Sequence, residues 1–260
     1  MHRTLLPLAF ATTLAPFAAQ AALQTRAVEY RQGDTVLEGY LAWDDAGPAR
    51  KPGVLVVHDW TGVGPYVKRR AGELAQLGYV AFAADVYGKG VHPTNPKDAA
   101  READRYKADR KLFRARVLAG LAELRRQPNV QTDAVAAVGY CFGGTAVLEL
   151  ARAGADVRGV VSFHGGLDAP DPDDGKNIRA KVLLLHGAED PFVPEAQVRA
   201  VEEELRKGGV DWQLVKYSGA VHAFTIPEAG SDPSKGAAYD ARADRRSWRA
   251  MRDFLDELFR

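Results

Sequence analysis

The chain has 260 residues, and 35 Lys plus Arg against 34 Asp plus Glu leave a formal charge of +1. That balance supplies no basic field for nucleic acid or anionic lipid. The one cysteine, Cys141, excludes an intramolecular disulfide framework and a Cys-rich metal site, and the length suits a single α/β domain with a large core.

Residues 1–21 read as a secretory signal: Arg3 in a short n-region, an apolar stretch over 5–19, and the small-x-small tripeptide Ala19-Gln20-Ala21 before the expected cut. Pro7 and Pro16 interrupt the stretch, which also falls short of the roughly 20 apolar residues that span a bilayer. The expectation is an exported protein, in the bacterial periplasm, with residues 22–260 forming one domain and no membrane association once the signal is gone. Losing Arg3 brings the formal charge to zero. An exported chain that keeps one unpaired thiol exposes it to oxidation, so Cys141 needs a reason to be there.

Two strands at 23–30 and 36–42, joined by Arg31-Gln32-Gly33-Asp34, predict an antiparallel hairpin at a sheet edge. The continuous apolar run 53–58 fits a strand buried on both faces. An amphipathic segment over 67–77, the stop signal Gly78 and a second apolar strand at 79–84 complete a β-α-β unit. Over 98–126 the apolar positions Tyr106, Phe113, Val117, Leu121 and Leu124 recur at helical spacing among charges of alternating sign, which predicts one long helix with a solvated face. Strands follow at 134–138, 159–163, 181–186 and 212–217, with helices through about 152, near 195–207 and over 239–259. Strands alternating with helices predict a mostly parallel sheet covered on both faces.

The strand at 134–138 runs directly into Gly139-Tyr140-Cys141-Phe142-Gly143-Gly144. A nucleophile on so sharp a strand-to-helix turn needs small residues two before and two after it, here Gly139 and Gly143. The helix starting behind it aims free N–H groups at the sulfur, an arrangement that favours a thiolate. The bland alternative is a small buried hydrophobe. Two later segments weigh against it: Glu189-Asp190-Pro191-Phe192 ends a buried strand with an acid, and Val221-His222-Ala223 puts a histidine in the loop after the last strand. The order nucleophile, acid, base is that of the α/β-hydrolase fold.

These segments, together with Val-His-Asp-Trp-Thr-Gly-Val at 57–63, give the chain its resemblance to the dienelactone hydrolase family of α/β-hydrolases, over nearly all of 22–260. The resemblance implies a cysteine hydrolase without metal or organic cofactor that opens dienelactones or related small esters. It implies Cys141 as nucleophile, His222 as base and Asp190 as the acid that orients it, with the backbone N–H groups of Trp60 and Phe142 as the oxyanion hole. Asp59 stands where the family usually carries a Glu that meets the resting thiol; it is one methylene shorter, and a loop residue capping local backbone is the other reading. Tyr87, Tyr106 and Phe224 are expected near the substrate pocket. Where the family's dienelactone-cleaving members carry two carboxylate-binding arginines, this chain has Glu102 and Ile226, which argues for an uncharged acyl group.

His58, His164 and His186 lie near strand ends without metal-ligand spacing and read as structural histidines. The expected partner is a small ester or lactone, with no nucleic acid, and the expected state a monomer. The competing readings are a thioesterase or deacetylase on a larger substrate, a redox-sensing thiol, and a binding module that has lost turnover.

Overall fold

The computed structural model describes residues 22–260, so the expected signal segment lies outside the described residues. The polar tip Gly33-Asp34 joins β1 (Leu23–Gln32) to β2 (Thr35–Asp44), which pair antiparallel with Gln32 opposite Thr35. The hairpin is longer at both ends than its apolar residues indicated, because its two-residue turn needs only Gly33 in the left-handed region, at φ 55°. Six parallel strands follow: β3 (Lys51–Val57), β4 (Val80–Ala84), β5 (Val130–Tyr140), β6 (Gly159–Phe163), β7 (Lys181–Gly187) and β8 (Trp212–Tyr217). The sheet order is β1-β2-β4-β3-β5-β6-β7-β8, with β2 antiparallel to β4.

Central strands carry apolar side chains on both faces, and each face has its own core. Leu55 and Val57 of β3 join the layer under α3 (Arg110–Arg126), α4 (Phe142–Arg152) and α5 (Glu195–Lys207). Val54 and Val56 join the layer under α1 (Pro65–Gln76) and α6 (Ala241–Leu258). This is why the run at 53–58 does not alternate.

The single long helix expected over 98–126 is two helices. The first, α2 (Pro96–Ala108), starts from an Asn95 cap, and Asp109 then leaves helical geometry at φ −114°, ψ 81°. Its carboxylate accepts the Leu112 N–H at 2.9 Å, so Asp109 ends one helix and caps the next. The seven-residue interval from Tyr106 to Phe113 hides the break, because both rings still meet in one core at 6.1 Å.

The chain passes from β3 to β4 on one side and returns to place β5 on the other side of β3. Such a reversal opens a crevice at the carboxyl ends of the two central strands. Val57 lies opposite Gly139, so the loop after β3 and the turn after β5 flank that crevice. The loops after β6, β7 and β8 extend the same edge.

Candidate active site

Cys141 caps the N-terminus of α4 at φ 55°, ψ −115°, outside the comfortable range of a side-chain-bearing residue. The neighbouring glycines make the turn possible. A Cβ on Gly139 would stand 1.9 Å from the Gly143 carbonyl oxygen, and one on Gly143 would stand 2.1 Å from that of Val57. The turn is pressed against both its own helix and β3.

His222, in the loop after β8, brings Nε2 to 3.1 Å from Cys141 Sγ. Its Nδ1 lies 2.8 Å from Asp190 Oδ2 on the loop after β7. The Asp190 side chain is fully buried and that of His222 is 14% exposed, so solvent reaches the imidazole and not the carboxylate. Burial works against the His222 cation, but the charges of Cys141 and Asp190 outweigh it and push the imidazole up to about 10. Asp190 is fixed from its other oxygen, which accepts the Phe192 N–H at 2.9 Å. The residues expected to act together from sequence are thus brought together in space. The arrangement can hold a sulfur as thiolate beside an imidazolium, and can pass a proton between them.

The loop after β3 is ordered by His58. Its Nε2 accepts the Val86 N–H at 3.2 Å, which leaves the proton on Nδ1 to be donated to the Asp59 carbonyl at 2.5 Å. In a trans peptide the C=O and N–H oppose one another, so the Trp60 N–H is directed away from His58. Phe142, whose N–H opens α4, stacks on the His58 ring at 5.6 Å. Trp60, Phe142 and Cys141 together line a cavity of about 870 Å³.

The cavity is bounded by the loop after β3 and the start of α1, by one face of α2, and by a strap over 226–240 after the histidine. Ala100, Ala103, Asp104 and Lys107 of α2 face it at helical spacing. Phe192 stands at the mouth, 58% exposed, edge-on to the His222 ring at 5.5 Å. The strap also holds His222: the Gly236 carbonyl accepts the His222 N–H at 3.1 Å, and the Ala238 N–H donates to the His222 carbonyl at 3.0 Å.

A profile of the dienelactone hydrolase family matches residues 37–259. The chain belongs to the dienelactone hydrolase family. It is therefore a hydrolase on the α/β-hydrolase fold, in keeping with the mostly parallel sheet. Among solved structures it is similar to a dienelactone hydrolase-like promiscuous phosphotriesterase from metagenomic libraries, 41% identical, with a TM-score of 0.88 over 92% of this chain and 100% of the other. Among curated proteins it is similar to the Aquifex pyrophilus protein usf, 31% identical over 76% of this chain and 85% of the relative. It is also similar to an Aquifex aeolicus protein named as a candidate carboxymethylenebutenolidase, 29% identical over 88% and 96% of the two chains.

Several of the expected site residues lie elsewhere. Tyr87, Tyr106 and Phe224 do not line the cavity. Tyr87 and Tyr106 stack at 5.5 Å in the aromatic layer behind Phe142, and Phe224 packs edge-on to His164 at 4.9 Å. Tyr87 follows β4, Tyr106 lies near the end of α2 and Phe224 sits in the loop after β8, and the core takes all three rings. Tyr87 still touches the site indirectly, its hydroxyl donating to the Trp60 carbonyl at 3.1 Å.

Asp59 lines the cavity, but its Oδ1 accepts the Thr61 N–H at 2.7 Å and the Thr61 hydroxyl at 2.6 Å. The short side chain turns back on its own loop, as Asp commonly does, and the sulfur's hydrogen-bond partner is His222. Ile226 lines the cavity and Glu102 does not. Of the arginines near Glu102, Arg101 points outward to pair with Asp98 at 2.6 Å, and Arg105 lies over the Tyr106 ring.

The cavity-wall residues that sequence reading missed are Ala100, Ala103 and Asp104 of α2, Tyr66, Phe192 and the strap beyond Ile226. The α2 face had a signal in its small residues Ala100 and Ala103 at i, i+3. The strap beyond Ile226 had none, since only the fold shows which loop returns over the histidine.

Proposed function

We propose that this enzyme hydrolyses small uncharged carboxylic esters or lactones, with Cys141 as nucleophile. The observation that carries the reading is the sulfur–imidazole–carboxylate line, 3.1 Å and 2.8 Å, beneath a largely apolar cavity. Cys141 Sγ attacks the carbonyl carbon, and the oxygen that gains charge is met by the N–H groups of Phe142 and Trp60. His222 gives its proton to the departing alkoxide, leaving a thioester on Cys141. The neutral imidazole then takes a proton from water, whose oxygen displaces the sulfur and releases the acid. Asp190 keeps the proton-bearing Nδ1 directed at itself, so that Nε2 serves the reaction.

The acyl group is uncharged because no guanidinium among the described residues lines the cavity. Its cations, Lys107 and Lys235, belong to a helix face and the strap, and the acids Asp104 and Glu228 line the same cavity, while Lys235 pairs with Asp232 at 3.9 Å. A neutral phosphotriester satisfies the same requirement, and the 41% identical neighbour is named for that activity.

The test is turnover of a chromogenic short-chain acyl ester by wild type, Cys141→Ala and His222→Ala, followed by a panel of neutral esters, carboxylated lactones and neutral phosphotriesters. Loss of turnover in both variants is expected, with little gain from a carboxylate on the acyl part. Equal activity in all three proteins would refute the nucleophile, and a strong preference for carboxylated lactones would refute the uncharged acyl group.

A further inference from the structure

Among the described residues, the non-glycine residues with positive φ are Cys141 at 55°, His164 at 39° and Ala223 at 58°. Backbone held in this region persists only where the surroundings fix it, and it gathers at functional sites. Cys141 carries the sulfur, and Ala223 follows His222. His164 has no place in the reaction described above, yet it sits between them, directly after β6.

The hydrogen bonds explain the placement. The Cys141 N–H donates to the Phe163 carbonyl at 3.0 Å and to His164 Nδ1 at 3.1 Å. An Nδ1 that accepts leaves the ring proton on Nε2, which lies 2.7 Å from Thr225 Oγ1. Thr225 is three residues past His222, on the same turn. The His164 N–H donates to the Leu185 carbonyl of β7, the strand that leads to Asp190, at 2.8 Å. Its ring stands edge-on to that of His222 at 5.4 Å.

We infer that His164 is a positioning residue whose neutral ring ties the turn bearing Cys141 to the turn bearing His222 through Thr225, and so sets the sulfur-to-imidazole distance. The inference rests on the cysteine-hydrolase reading. His164 and Thr225 are fully buried, and the groups around the ring are His222, Phe224, Tyr140 and Tyr66, with Arg70 behind. Burial first, and then the charge of His222, hold the His164 imidazole well below its ordinary range, which keeps Nδ1 free to accept. The far end is anchored too. Tyr66 OH lies 2.6 Å from Thr225 Oγ1, and Arg70 donates to the Thr225 carbonyl at 3.1 Å. A histidine that only filled space would have no need of a left-handed backbone or of both ring nitrogens.

The test compares Thr225→Val, which keeps shape and removes the hydroxyl, with Thr225→Ser, which keeps the hydroxyl. Two readouts are taken on the full chain: kcat and KM for a chromogenic acetyl ester, and the rate of Cys141 alkylation by iodoacetamide against pH. Thr225→Val is expected to lower kcat about tenfold or more at a KM within about twofold of wild type, and to slow alkylation at neutral pH, because small displacements of reacting groups cost rate rather than binding. Thr225→Ser is expected to restore both.

A folded Thr225→Val with wild-type kcat and alkylation profile would overturn the inference, as would equal losses in the Val and Ser variants. If Val at 225 prevents folding, His164→Gln is read by the same split: lowered kcat at unchanged KM supports the tie, and wild-type kcat overturns it. Alkylation needs no substrate, so an inert wild type would count against the hydrolase reading while the tie could still be judged.

Discussion

The His222 imidazole, pushed up to about 10 by a neighbouring sulfur and carboxylate, has consequences that pH can read. Its value in the fold exceeds the ordinary 6.5, so the cation's contribution to stability is fully present below about 6.5 and is lost as pH rises through about 10. A fall in the urea midpoint over that window checks the sign. Turnover shares the group: kcat should hold through neutral pH and decline on the alkaline side as His222 loses the proton it gives to the leaving group. Asp190→Asn removes one of the two charges that raise the imidazole, so the alkaline limb of the kcat profile should move to lower pH. The same variant should lose on the order of a hundredfold in kcat, because the amide no longer enforces the useful tautomer. An unshifted limb would mean that Asp190 does not hold the imidazole.

The turn bearing Cys141 is the element on which geometry is tightest. Ala at Gly143 would drive a methyl to 2.1 Å from the Val57 carbonyl oxygen, and backbone there has no room to yield. Gly143→Ala should destabilise the fold by about 3 kcal/mol or more, read as a lowered urea midpoint. Gly236 in the strap carries a related constraint at φ 80°, where a Cβ would stand 2.8 Å from Pro191 Cγ, so Gly236→Ala should disturb the acid loop and the base together.

At this scale much was legible in the sequence. The strand before Cys141, the glycines around it, the acid after β7 and the histidine after β8 are local patterns, and local patterns survive folding. The break at Asp109 was hidden because helical spacing carries across it, although an Asp that could cap a following helix stood at the spot. The pocket walls were misread for another reason. A tyrosine near a strand end can face cavity or core, and the choice depends on which helices pack against it, here Tyr106 of α2 and Phe142 of α4 against Tyr87. Asp59 was expected to face the thiol, with loop capping as the other reading, and it is the loop that takes its carboxylate, through Thr61.

On the scale of the whole molecule, the side of the sheet away from α1 and α6 is tied by buried charge. Arg152 of α4 donates to Glu204 of α5 at 2.9 Å and 2.7 Å, to Glu149 at 2.9 Å, and to the carbonyls of Leu167 and Asp168. Glu149, fully buried, also accepts from Arg110 and Arg114 of α3. This network joins three helices to the loop after β6 that borders the cavity. Breaking one partner strands a buried charge, so Glu204→Gln should cost about 3–5 kcal/mol in urea unfolding while the folded fraction keeps its turnover. Loss of turnover without loss of stability would instead place the network in the reaction.

The account as a whole stands on a covalent bond forming at one sulfur. Rapid quench of the enzyme with excess chromogenic acyl ester, followed by intact-protein and peptide mass spectrometry, reads that bond directly. The expected result is the added mass of one acyl group on the peptide containing Cys141, absent from Cys141→Ala and removed by hydroxylamine. Turnover at the wild-type rate with no acyl group on that peptide, or with the acyl group on another residue, would contradict it.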